Sequence, residues 1–258
     1  IGQHGGHLGM STFAFDEEHQ IKISDKWLSW GWSDNETPHV TPVGNLKIIN
    51  NKGRYNPNGG AIMVQMALPR YSYHLYAVPI SKQYLDYLNN QFTFVASLPE
   101  EIRNQLTVRL FPTDFNWKQK QRWSEIHPNV KLDFGKKSIK KLLAKSRIYI
   151  STYNATTFLE SFAMDIPTIM FWNPNHWELR ESAKPYFEEL RDAGVFHETP
   201  KSAAEYVTSI WDDIESWWSS YKVKQAVKVF CSNFNITGDN VIDKMQKEFI
   251  NLANRKSI

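Results

Sequence analysis

The segment Ser151-Thr152-Tyr153-Asn154-Ala155-Thr156-Thr157 concentrates hydroxyls and one amide between an apolar run, Ile148-Tyr149-Ile150, and a second apolar pair, Phe158-Leu159, that ends on Glu160. Chemistry of this kind suits an anion. A helix starting near Thr156 would present free main-chain N–H groups at its positive end, and Ser151, Thr152, Thr156 and Thr157 would add hydroxyl donors. Glu160 would then sit one turn inside the helix, beyond reach of a phosphate but placed to accept hydrogen bonds from a ribose. The plainer reading has Asn154 and the threonines capping a helix, with Glu160 complementing its dipole. The residues alone leave the two readings even.

A second candidate is the opening Gln3-His4-Gly5-Gly6-His7-Leu8-Gly9. Glycines let a main chain approach a ligand closely, and histidine titrates near neutrality, so His4 suits a general base or a phosphate donor, with His7 the weaker alternative. A phosphate-loop-like segment at residue 2 leads to the expectation that residues precede Ile1.

Holding these groups requires strands that run into helices. The sequence predicts short strands at Ile21–Ile23 and Leu46–Ile49, then a buried strand over 61–68. A helix over Ser81–Asn90, with Ser81 as cap, and another over Glu100–Gln105 precede a strand at Leu106–Phe111. A helix at Lys118–Glu125, a strand at Val130–Phe134, a helix at Ile139–Ser146 capped by Ser138 and a strand at Arg147–Thr152 come next. The last elements are a helix at Thr156–Met164 and a strand at Pro167–Trp172. Helices at His176–Ala193 and Ser202–Tyr221 and an amphipathic one from Asn240 to Ile258 close the chain. Strands alternating with helices at this spacing indicate βαβ units and a parallel sheet, an α/β class. Turn-rich residues 1–60 read as an interdomain segment carrying the His-Gly-Gly loop, and 61–258 as a Rossmann-like nucleotide-donor-binding domain with C-terminal helices.

Composition narrows the classes. The 258 residues carry a net charge of +3, with an isoelectric point near 8.7, too mild for a nucleic-acid binder that runs on bulk charge. With 41% hydrophobic and 22% charged residues the chain is globular rather than disordered. A single cysteine, Cys231, excludes an internal disulfide framework. No run approaches the roughly 18–20 apolar residues that cross a bilayer. The opening has no basic stretch followed by an apolar one, so a secretory leader is not expected and the expected location is the cytoplasm. The basic face Lys136-Lys137, Lys140-Lys141 and Lys145 reads as a solvated helix, with anionic headgroups at the inner membrane face as the alternative.

Other residues carry paired readings. Arg109, at a strand end, would clamp a phosphate or else pair with Asp114. Asp25, ahead of Trp27, Trp30 and Trp32, would bind sugar hydroxyls, although such tryptophans more often pack a domain junction. Trp172 and His176 follow a strand and would line a base or acceptor pocket, whereas Asn173 or Asn175 would cap a helix. His127 in Ile126-His127-Pro128 reads as a loop residue, and Trp211, Trp217 and Trp218 as packing. No zinc spacing, Asp-x-Asp run, Walker loop or Gly-x-Ser-x-Gly elbow occurs, so no metal and no bound cofactor are expected.

The stretch Ser151–Glu160, with Pro167 and an apolar strand after it, resembles the donor-binding motif of GT-B glycosyltransferases and of the related UDP-GlcNAc 2-epimerases and CDP-glycerol glycerophosphotransferases. The Gln3–Gly6 loop resembles the His-Gly loop that faces this turn in the glycerophosphotransferases. Together with Ser24-Asp25, Trp30-Gly31-Trp32, Pro167–Trp172 and Trp217-Trp218, nearly the whole chain is similar to a family of transferases encoded in bacterial surface-carbohydrate loci. The resemblance implies the C-terminal half of a GT-B enzyme. It also implies a nucleotide-activated sugar as co-substrate and a glycan or lipid-linked acceptor. On the site, it implies Ser151, Thr152, Asn154, Thr156 and Thr157 around the phosphates, faced by the loop of His4, Gly5 and Gly6 with His4 as the expected catalytic residue; Arg109 joins the phosphate side by its place at a strand end. Glu160 would hold the ribose, and Asp25 and Trp172 would meet the sugar or acceptor. Within the same class, a polyol-phosphate transferase or a sugar-nucleotide epimerase is the alternative; outside it, a non-catalytic nucleotide-binding module.

Overall fold

The computed structural model describes residues 1–48, 55–71 and 77–255. An N-terminal loop leads into helix α1 (Phe15–Lys22) and two short strands, β1 (Trp27–Ser29) and β2 (Val40–Pro42), which pair in parallel with Trp27 opposite Val40. After β3 (Ala61–Val64) come α2 (Gln83–Ser97), α3 (Glu100–Arg103), β4 (Leu106–Arg109), α4 (Gln119–Ile126), β5 (Lys131–Asp133) and α5 (Ile139–Leu143). The second half runs β6 (Ile148–Ser151), α6 (Thr156–Ala163), β7 (Thr168–Phe171), α7 (Lys184–Asp192), β8 (Phe196–His197), α8 (Pro200–Ile210), α9 (Ile214–Ser219), α10 (Tyr221–Phe234) and α11 (Asn240–Arg255).

The strands from β3 onward form one parallel sheet of order β5-β4-β3-β6-β7-β8. This is the Rossmann order: the chain works outward from β3 in one direction, then returns to β3's other side and works outward again. The expected α/β class, a Rossmann-like parallel sheet flanked by helices, is the observed one. The strands β3, β6 and β7 are buried at every residue, because helices cover both faces of a parallel sheet. Those helices pack in two groups, α2 against α8 and α10 against α6, α7 and α9, and β7 touches a member of each. Trp27, Trp123, Trp172, Tyr149, Phe158 and Phe230 are fully enclosed, and the N-terminal Leu8, Met10, Trp30 and Trp32 join the same core.

Several sequence expectations are corrected. Residues 21–23 are not a strand: Ile21 and Lys22 form the end of α1 and Ile23 follows as its C-cap, with Glu17 and Ile21, four apart, forming the buried face of the helix. Residues 46–48 make a single 3-10 turn, and Ile49 lies outside the described residues. The helix expected from His176 starts only at Lys184, because Pro185 is tolerated in the first turn and nowhere deeper. Residues 174–183 instead turn along the N-terminal loop, with the Arg180 N–H donating to Met10 O at 2.9 Å and the Thr12 N–H to Glu178 O at 2.9 Å. The helix expected over 202–221 is divided by the caps of Asp213, whose carboxylate accepts from the Ser216 N–H at 3.1 Å, and Ser220, which starts the unforeseen α10. Neither Ser81 nor Ser138 caps a helix through its side chain.

Beyond β3 lies a buried polar knot. The Gln65 amide donates to Gln119 Oε1 at 2.6 Å and accepts from the Trp123 indole at 2.7 Å. Replacing Gln65 with leucine would strand two buried groups, each at a cost of about 1–3 kcal/mol. The expected result is a lower urea midpoint with an unchanged slope, partly restored by adding Trp123→Phe; a midpoint equal to wild type would count against it.

Candidate functional site

The order of the sheet reverses between β3 and β6, where ligands of open α/β sheets collect beyond the carboxyl ends of the strands. Val64 and Ser151 are register partners there. The floor of this crevice is closed by hydrogen bonds whose direction is fixed. The Thr152 hydroxyl donates to Val64 O at 2.8 Å and therefore accepts from the Tyr87 phenol at 2.8 Å, which in turn accepts from the Met66 N–H at 2.9 Å. Burial pushes the Tyr87 phenol well above its ordinary range, so it remains a donor. Thr152 thus holds the end of β6 in place rather than facing a ligand, and the Ser151 hydroxyl is likewise engaged, donating to Tyr153 O at 3.2 Å.

Past this floor the groups are open. Helix α6 begins behind Ala155, whose methyl offers no cap, so the capping reading of Asn154 and the threonines is not realised. A helix leaves its first N–H groups unfilled, and among the described residues nothing accepts from the N–H of Ala155, Thr156 or Thr157. Asn154 is only 2% exposed, yet neither end of its amide has a partner. A buried unpaired amide costs about 1–3 kcal/mol, a penalty removed when a ligand or water enters. The Thr156 hydroxyl accepts from the Gly6 N–H at 3.1 Å and keeps its own hydrogen to give, and Thr157 shares one with the Tyr153 phenol at 3.0 Å. Glu160 is 7% exposed; burial raises its carboxyl pKa, and the positive charges of Lys47 and Lys140 oppose the shift. Asn235 fixes the Lys47 segment against α6, bridging the Asn45 amide at 2.9 Å and Leu159 O at 2.9 Å.

The glycine loop is pressed onto this helix start. A Cβ on Gly6 would lie 2.7 Å from both the carbonyl carbon of Ala155 and the Cα of Thr156. Buried Gln3 shapes the loop from beneath, donating to Gly5 O at 2.9 Å and Leu8 O at 3.1 Å and accepting from the Trp30 N–H at 2.8 Å and the Trp32 indole at 3.1 Å. Further on, buried Glu17 accepts from the Gly9 N–H and from Arg180, whose guanidinium also lies over the Trp32 ring. Burial raises the Glu17 pKa and Arg180 opposes it. His4 Nε2 lies 3.0 Å from the Gln20 amide nitrogen and 3.8 Å from Asp16 Oδ2. Burial lowers the His7 pKa; the Asp16 carboxylate works against this and His4 with it. Beside His4 a cavity of about 260 Å³ opens, lined by Leu28, Trp30, Val43, Leu46, Lys47 and Met245.

The fold therefore sets Gly6 on Ala155 and Thr156 at the start of α6, the helix that carries Glu160, while the ring of His4, two residues earlier in the loop, meets Gln20 and Asp16 of α1. Other candidates lie elsewhere. Arg109 faces β5, donating to Asp133 Oδ1 at 3.1 Å and Lys137 O at 2.8 Å. Its suggested partner Asp114 instead accepts from the Lys118 and Gln119 N–H groups, at 2.8 and 2.7 Å. Asp25 is exposed ahead of β1. Trp172 is enclosed by Phe158, Phe187 and Phe196, its indole N–H without a partner among the described residues. His127 bonds Phe92 O at 3.0 Å within the helix packing. No group of three or more His, Cys, Asp or Glu that could hold a metal occurs among the described residues. Sequence reading missed Gln3, Asp16, Glu17, Gln20 and Arg180; Gln3 at least adjoins the glycine string, whereas Glu17 and Arg180 are joined only by folding.

Comparison with known proteins shows the family and the fold. The model described as LIC12162 family transferase matches residues 1–249, so the chain belongs to that family. No curated protein sequence matches. Among solved structures, the wall teichoic acid polymerase TagF superposes at a TM-score of 0.50 with 11% identity, covering 96% of this chain and 66% of that one. The calicheamicin glycosyltransferase CalG4 is similar at 0.42 with 13% identity, covering 89% of this chain and 51% of its own. For WaaG, a glycosyltransferase of lipopolysaccharide biosynthesis, the values are 0.38, 10%, 69% and 48%. The likeness to TagF is one of fold, a parallel sheet flanked by helices, and the chain spans 66% of the TagF length.

The Gly6 contact is directly testable. Gly6→Ala forces main chain from main chain and is expected to destabilise by about 1–3 kcal/mol, as overpacking does. Gly2→Ala, whose Cβ would meet nothing closer than 3.8 Å, should stay within about 0.5 kcal/mol. Thermal denaturation of both variants reads the difference, and equal melting temperatures would refute the contact.

Proposed function

We propose that this family member binds the diphosphate of a nucleotide-activated sugar at the start of α6 and transfers the sugar to a surface-glycan acceptor. One observation carries the reading: Gly6 is packed on the same helix end that leaves its N–H groups open and keeps the Asn154 amide buried without a partner. A closed, polar corner lacking partners for its donors favours an anion that supplies acceptors.

In the reaction the acceptor hydroxyl oxygen forms a bond to the anomeric carbon and gives up its proton to solvent, while the bond from that carbon to the phosphate oxygen breaks. The electron pair leaves with the diphosphate, and negative charge grows there in the transition state. Donors already aimed at that position stabilise it without reorganising. The N–H groups of Ala155, Thr156 and Thr157, the Thr156 hydroxyl and the Asn154 amide supply them. Glu160, one turn along α6, accepts from the ribose hydroxyls. His4, two residues before Gly6 in the same loop, completes the phosphate side. The acceptor is a glycan or a lipid-linked glycan, and no helix among the described residues is long and apolar enough to cross a membrane.

Calorimetry with CMP, CDP, UDP, GDP and TDP compounds tests the reading, which requires at least one class to bind and fails if none does. Product analysis without acceptor then separates transfer from epimerisation. Glu160→Gln should weaken the nucleotide that binds by about tenfold, or 1.4 kcal/mol. The pH dependence has a definite sign. The carboxylate accepts both ribose hydroxyls and the protonated acid loses an acceptor, so affinity is full at high pH. It should fall as pH drops through a midpoint above the ordinary carboxylate range, because burial raises the Glu160 pKa. Glu160→Gln should flatten that inflection.

A further inference from the structure

We infer that Gln20 fixes His4 in the tautomer with hydrogen on Nδ1, so that His4 serves as a hydrogen-bond donor to the leaving phosphate and not as the base. The inference rests on the donor-site reading for the identity of the phosphate, and on geometry alone for the tautomer.

The argument begins at Trp27, whose indole N–H can only donate. Trp27 is fully buried, and its Nε1 donates to Gln20 Oε1 at 3.4 Å. Rotating the Gln20 amide by half a turn would set NH₂ against this N–H, two donors face to face, with the indole N–H left buried and unpaired. The amide oxygen therefore faces Trp27 and the amide nitrogen faces His4. That nitrogen also only donates, and it lies 3.0 Å from His4 Nε2. His4 Nε2 must accept, which in a neutral imidazole puts the hydrogen on Nδ1.

Position matters as much as protonation. Nε2 is turned toward α1, where Gln20 and Asp16 stand, so Nδ1–H is turned away from that helix. The lone pair a base would need is already occupied by Gln20. The titratable groups around this ring are Asp16, 3.8 Å from Nε2, His7 and Lys47, which lines the cavity beside His4. The Asp16 carboxylate would favour a hydrogen on Nε2, and the Gln20 amide opposes it at shorter range. Gln20 is thus a positioning residue, acting through His4.

The test needs no substrate. In the full chain labelled with ¹⁵N-histidine, long-range proton–nitrogen correlation spectra at about pH 8.5, above the ordinary histidine range, distinguish protonated from bare ring nitrogens. Wild type should show His4 with protonated Nδ1 and bare Nε2, the reverse of free histidine. Gln20→Glu keeps the acceptor for Trp27 and replaces the NH₂ donor with an acceptor, so it should move the hydrogen to Nε2. Gln20→Leu should restore the preference of free histidine. A wild-type hydrogen on Nε2, or the same tautomer in all three proteins, overturns the proposal. With UDP or CDP added, whichever binds by calorimetry, the Nδ1–H resonance should shift in wild type; binding without a shift overturns the phosphate role. If neither the panel nor these two nucleotides bind, the donor-site reading falls, while the tautomer is decided separately by the spectra without ligand.

Discussion

The structure turns on one close contact, main chain on main chain, between Gly6 and the first residues of α6. No other residue type fits there, since even a methyl group would fall 2.7 Å from backbone atoms. The contact joins positions 150 residues apart and is reinforced by the hydrogen bond from Gly6 to Thr156. It also defines the candidate site, because Gly6 covers the helix end whose first N–H groups have no acceptor among the described residues. Were the two backbones a few ångströms farther apart, the dipole of α6 would face solvent and the glycine loop would have no electrostatic reason to be where it is.

Two buried polar systems support this contact from opposite sides. Behind the helix, the chain of hydrogen bonds from Met66 through Tyr87 and Thr152 to Val64 locks the reversal point of the sheet, every donor and acceptor being matched. Matched networks in a low-dielectric interior rigidify, whereas unmatched ones are costly. In front, Gln3 fills all its hydrogen-bonding positions with the loop it carries and with the Trp30 and Trp32 segment, and the Glu17–Arg180 pair ties that loop to residues 174–183. The unmatched atoms of Asn154 stand out against so much satisfied polarity. Thr152, Tyr87 and Gln3, which hold the backbone, are internally paired, whereas both ends of the Asn154 amide are not.

This division also explains why residues of one motif have different roles. Ser151 and Thr152 lie at the end of a central strand, so their hydroxyls find carbonyls of the turn and of neighbouring strand β3. Thr156 and Thr157 lie on the first turn of a helix, where their hydroxyls meet the Gly6 N–H and the Tyr153 phenol. Likewise Arg109 stands at the carboxyl edge of the sheet, as expected, but β4 is bonded to β5 on its outer side and the guanidinium takes the acceptors there.

The sequence was sufficient for the alternation of strands and helices, the α/β class and the strand–turn–helix unit at Ser151–Glu160. These depend on local periodicity and on residue types within a few positions of each other. It also marked His4, Gly5 and Gly6, because a glycine string has few other uses. Element ends were less legible where a single residue overrode the periodicity, as Pro185 did for α7 and Ser220 for α10. What only the tertiary structure decided was which polar groups are already paired: that Gln3, Gln20 and Glu17 shape the His4 loop, that Thr152 and Arg109 are engaged, and that Asn154 is not. Hydrogen-bond satisfaction is a property of groups brought together from distant parts of the chain, and no spacing along the sequence encodes the distance between Gly6 and Thr156.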